Sequence, residues 1–168
     1  DIMQNAIKLI LWALILPAMT IAQGLSGSWS LIPHESTEID LYNNLQIDLE
    51  IDEDILTVTQ LWGRGRSFAD TVTLSLKGEQ TTDRIYHRVF PTNVFMGLSM
   101  PVGQNRTLEA RWLDPGRAIQ IDETFKVRGS QGLTPLEVTH TYRLAENDET
   151  LFYELSRSTR PGKGAIQY

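Results

Sequence analysis

Two residue types that can move protons sit where a β-chain should be dry. In residues 119–127, Ile119, Ile121, Phe125 and Val127 alternate with Gln120, Asp122, Thr124 and Lys126, and Glu123 falls in the apolar set. In the next stretch Leu136, Val138, Tyr142 and Leu144 alternate with Glu137, Thr139, Thr141 and Arg143, and His140 falls in the apolar set. Period-two alternation marks strands with one buried face. A carboxylate and an imidazole in a low-dielectric interior perturb each other's protonation. Such a pair can serve as a general base, hold the polar head of a ligand, or satisfy itself as structure. The reading adopted is ligand contact, with no catalytic residue assigned.

Strand pairing extends the set. Aligning Val127 with Leu136, Phe125 with Val138 and Ile121 with Tyr142 sets apolar residues against each other and places Glu123 opposite His140. A slip of two residues would keep the faces and make that pair diagonal. Pairing Leu144 with Leu151 puts Tyr142 opposite Tyr153 and Val138 opposite Arg157. Pairing Val58 with Val72 puts Gln60 opposite Asp70. The expected ligand-binding residues are therefore Gln60, Asp70, Glu123, His140, Tyr142, Tyr153 and Arg157. Arg157 with the two tyrosines could anchor a ligand carboxylate, because the guanidinium fork matches it; the alternative is that Arg157 pairs with Glu123 or Asp70.

Positioning these groups takes many short strands. Alternating runs separated by turn residues recur from Ser26 to the last residues, and helical periodicity is nearly absent after residue 22. Turns are expected at 52–54, 77–80, 113–116 and 145–149, gathered at one end. The segments 63–66, 91–105, 128–135 and 161–164 gather at the other end, read as the mouth. The fourth strand is expected over 68–76, the fifth over 84–90 and the sixth over 107–112. About 8–10 antiparallel strands in up-and-down order favour a closed β-barrel, which removes exposed edges, with a two-sheet sandwich as the rival. The loop 91–105 is long and apolar, and Phe95, Met96, Leu98 and Met100 are its candidate lid residues; a loop tucked onto the barrel is the other reading.

Residues 1–22 read as a secretory signal: Lys8, the apolar run 9–16, Pro17 and the small-residue pattern ending at Ala22. The remainder, 23–168, is expected to be one domain whose last strand is incomplete, with no membrane span once the signal is cleaved. The chain has no cysteine, so an exported protein of this kind is held by its core, which suits a bacterial periplasmic or secreted setting. A net charge of −6 argues against a nucleic-acid partner. Asn105-Arg106-Thr107 fits a glycosylation acceptor pattern, read as chance in a bacterial chain. His34 sits beside Glu35, and the facing of His87 is ambiguous. His87, His140 and Glu123 are residue types that could ligate a metal, but no spaced metal motif is present. No cofactor motif is present.

Gly27-Ser28-Trp29, in a first strand just after the signal, resembles the G-x-W start of lipocalins and related calycin barrels. The resemblance implies a lipocalin-like barrel in which Gly27 and Trp29 close one end and a late arginine, Arg157 or Arg160, covers the tryptophan. The family's Thr-Asp-Tyr element and C-terminal helix are not evident. The expected function is an exported monomer that binds a small hydrophobic or amphipathic molecule in its interior. The alternatives are a solid-core interaction module and, less favoured, a barrel enzyme using Glu123 and His140.

Overall fold

Among the described residues ten strands form, largely where apolar and polar residues alternate, and each pairs with its neighbour in sequence except the fourth with the fifth. In a computed structural model, which describes residues 24–36, 44–63, 67–86, 99–158 and 166–167, these are β1 (Gly27–Ser30), β2 (Asn44–Asp52), β3 (Ile55–Gly63), β4 (Ser67–Ser75), β5 (Lys77–Arg84), β6 (Asn105–Asp114), β7 (Ala118–Gly129), β8 (Gly132–Leu144), β9 (Leu151–Arg157) and β10 (Ile166–Gln167). One short 3-10 turn, Pro33–Glu35, follows β1. It exposes His34 and Glu35, whose side chains stand 3.6 Å apart. The expected signal at 1–22, His87, the lid residues Phe95, Met96 and Leu98, and Arg160 lie outside the described residues. Among the described residues no helix is long and apolar enough to cross a membrane.

The all-β, antiparallel, meandering character expected from the alternation is present. The closed barrel is not: the strands form two sheets, β1-β2-β3-β4 and β5-β6-β7-β8-β9-β10. The break falls at Leu76, between β4 and β5. There the Leu76 N–H donates to the carbonyl of Asp54 at 2.8 Å, extending the β3–β4 register by one residue before the chain passes into β5. The expected turn at 77–80 is instead a bulge. The register against β6 shifts between Lys77 and Gln80, and Gly78 takes a φ of +77° that a side chain disfavours. The fifth strand therefore begins at Lys77, not at Arg84. Asp70 and Asp83, on opposite sides of this corner, reach one guanidinium, so the chain leaves the corner along both sheets.

Inward positions follow the sequence pattern. Leu56, Val58 and Trp62 on β3, Ile119, Ile121, Phe125 and Val127 on β7, and Leu136, Val138, Tyr142 and Leu144 on β8 are all buried. Each buried aliphatic side chain contributes about 1.5–3 kcal/mol relative to exposure. The outer face of β3 and β4 carries threonine pairs, Thr57 with Thr73 at 3.2 Å and Thr59 with Thr71 at 3.0 Å. The pairings Val58 with Val72, Gln60 with Asp70, Tyr142 with Tyr153 and Val138 with Arg157 are those expected.

The β7–β8 register differs by two residues. Glu123 lies opposite Val138, and His140 lies opposite Ile121. The cause is the turn. Gly129 pairs with Gly132 around a two-residue loop, and Gly132 adopts a φ of +108°. That tight hairpin continues both strands through the region expected to be a loop at 128–135. Glu123 and His140 become diagonal neighbours, a separation long side chains span.

Candidate functional site

Two places in the fold carry the groups of interest: a buried polar network and an open cleft. The network starts on β7 and β8. Glu123 and His140 are 4% and 7% exposed, and His140 Nε2 lies 3.1 Å from Glu123 Oε2. On its other side, His140 Nδ1 is 2.8 Å from the Tyr153 hydroxyl. The Tyr153 ring stacks on Tyr142 with centroids 4.9 Å apart. Gln60 Nε2 donates to the Tyr142 hydroxyl at 2.7 Å. Burial first of all holds the Tyr142 phenol well above its ordinary range, with Glu123 and Asp70 adding to the effect, so it stays a neutral donor.

At the other end stands Arg106, which is 5% exposed. Its Nη1 and Nη2 donate in parallel to Asp70 at 2.7 and 2.8 Å. Its Nε and Nη2 donate to Asp83 at 2.9 and 2.7 Å. Nη1 also reaches Glu123 Oε1 at 3.3 Å. Burial alone would depress the Arg106 guanidinium; the hydrogen bonds to Asp70 and the charge of Glu123 outweigh it and hold the group above its ordinary range. Three carboxylates around one cation fit the rule that buried charge is partnered.

The structure thus joins six of the seven expected ligand-binding residues: Gln60, Asp70, Glu123, His140, Tyr142 and Tyr153. Arg157 is buried opposite Val138 and lines neither the network's void nor the cleft. Met100, expected in a lid, is 2% exposed and packs into the core. The void among Val58, Met100, Ile121, Glu123 and His140 measures about 30 Å³, room for a water and not for an organic ligand. No three His, Cys, Asp or Glu residues among those described gather to hold a metal. Among the described residues the two sheets share no backbone ladder, and the Asp70–Arg106 and Gln60–Tyr142 bonds run from one sheet to the other.

Arg106 was missed as a site residue because the expected strand began at 107, two residues later than β6 does. Starting β6 at Asn105 puts Arg106 in phase with Leu108 and Ala110, all buried. A cation on an apolar phase, in a chain with inward Asp70 and Glu123, is the signal that finds it.

The second place is a cleft of about 350 Å³ between the edge of β1 and the start of β9. Trp29, Leu31, Ile32, Leu45 and Ile47 line one side, and Leu151, Phe152 and Tyr153 the other. Ser28, Ser30, Glu35, Ser36, Glu149 and Thr150 supply its polar groups. The Trp29 indole is held by donating Nε1–H to the Leu25 carbonyl at 3.2 Å. It also lies against Gly27, where an added Cβ would be 3.7 Å from the ring. Tyr153 belongs to both places: its ring lines the cleft and its hydroxyl meets His140. In comparisons with known families, curated proteins and solved structures, the chain matches none of them.

Proposed function

We propose that this chain is a binding domain for a small apolar or amphipathic molecule, held in the cleft between β1 and β9, with the buried polar network acting as a structural clasp. The observation that carries the reading is the cleft itself. Its volume of about 350 Å³ lies within the span of small-molecule sites, roughly 300–1,000 Å³, and an apolar wall with a few placed polar groups is the usual composition. The interior around Glu123 and His140, expected from the sequence to receive the ligand, offers about 30 Å³. The strand order supports an opened relative of the calycin barrel, in which the gap between first and late strands is the binding place. The signal read in residues 1–22 supports work outside the cytoplasm.

The packed interior favours one second reading, a solid interaction module without a ligand. Nile red, a neutral apolar dye, separates the two. The cleft reading expects saturable one-to-one binding, abolished by Ser30→Trp, which fills the opening from an exposed position. It also expects weakened binding in Trp29→Ala and unchanged binding in Asp83→Asn. Absence of saturable binding, or binding indifferent to Ser30→Trp, rejects it in favour of the solid module.

A further inference from the structure

Resting on the cleft reading, the charges at its opening narrow the ligand class. Glu35 and Glu149 line the cleft, and among the described residues no lysine, arginine or histidine lines it, although His34 stands 3.6 Å from Glu35. Both glutamates are exposed, so each can meet a ligand head without prior desolvation. The basic group of the nearby turn is already committed: Arg117 donates to Asp148 at 2.8 Å and to the Ala145 carbonyl at 2.6 Å. Behind the lining, Asp48 accepts from Gln46 and Ser28, which hold its carboxyl below the ordinary range. The Trp29 ring, fixed by its bond to Leu25, offers a π-face of the kind that attracts cations.

We infer that the cleft selects a cationic amphiphile, with an apolar body against Trp29, Ile47 and Leu151 and an ammonium-type head at Glu35 and Glu149. An anionic head would bring like charge to two carboxylates, a juxtaposition that discriminates against it. This reverses the carboxylate anchor that the sequence suggested for Arg157.

The test uses the full chain and three probes of equal chain length: dodecylammonium, dodecanol and dodecanoate, titrated calorimetrically below their aggregation limits. The ammonium should bind about tenfold tighter than the carboxylate at low salt, the scale that two exposed ion pairs support. The preference should shrink as salt rises. The double variant Glu35→Gln, Glu149→Gln should bring ammonium and carboxylate to about equal affinity while dodecanol binding is unchanged. Dodecanoate binding as tightly as dodecylammonium, or a preference that survives the double variant, overturns the inference while dodecanol binding leaves the cleft reading standing. Failure of all three probes overturns the cleft reading itself.

Discussion

At the corner where β4 passes into β5, chain and charge join the two sheets: Leu76 carries the backbone across, and Arg106 ties Asp70 of one wall to Asp83 and Glu123 of the other. At the opposite margin, between β1 and the start of β9, no backbone pairing joins the described residues, and an apolar cleft of about 350 Å³ remains. The ionisable groups that look most like ligand chemistry in the sequence are consumed in the closed margin. The open margin is lined by residues that look, one at a time, like ordinary core. A buried charge pair contributes little net stability, yet losing one partner is costly. A clasp of this kind therefore fixes the geometry of the sheets more than it deepens the fold.

The largest expected effect breaks the closed margin. Arg106→Met leaves Asp70, Asp83 and Glu123 without their shared cation and should destabilise the chain by about 3–5 kcal/mol, read by urea unfolding. Arg106→Lys should recover only part of that loss, because an ammonium cannot reproduce the two parallel bonds to Asp70. A loss under about 1 kcal/mol in Arg106→Met would mean the network is not a clasp.

Next comes Tyr153→Phe, which touches both margins at once. Removing the hydroxyl deprives His140 Nδ1 of a partner at 2.8 Å and should cost about 1–3 kcal/mol, the penalty of an unsatisfied buried group. The ring that lines the cleft is retained, so Nile red affinity should stay within about twofold of the parent, a change well under 1.4 kcal/mol. Binding lost along with stability would show the two margins to be one functional unit, and their contrast would fail.

How far the sequence carried this contrast depends on which interactions were local. Alternation along a strand is local, so the inward facing of Gln60, Glu123, His140, Tyr142 and Arg157 is legible and each is buried. Registers set by apolar matching were legible too, as in Leu144 opposite Leu151. The β7–β8 register was not, because two glycines closed a shorter turn than the pattern required. Lys77-Gly78-Glu79 reads equally well as a reversal or as a bulge. Only the non-local choice between pairing β5 with β4 and pairing it with β6 decides, and that choice makes two sheets in place of one closed barrel. The cleft was not legible at all. It arises where residues 28–36 meet residues 149–153, and nothing in either segment announces the other.

The smallest effect lies outside both margins and calibrates them. Asp122 on the outer face of β7 accepts from Arg111 at 2.7 Å, Thr139 at 2.9 Å and Gln120 at 2.9 Å. Partial burial works against its ionisation, but the bonds from Thr139, Gln120 and Arg111 outweigh it and lower its pKa from 3.8. A carboxyl depressed on folding contributes stability that is complete above its unfolded pKa and is lost as pH falls through the folded one. Asp122→Asn should therefore be less stable than the parent at neutral pH by under about 1 kcal/mol, given its exposure. The gap should close progressively once the pH drops below 3.8. Thermal unfolding of both proteins across a pH series reads this directly. A gap that persists unchanged in acid would show that the asparagine loses shape and not charge.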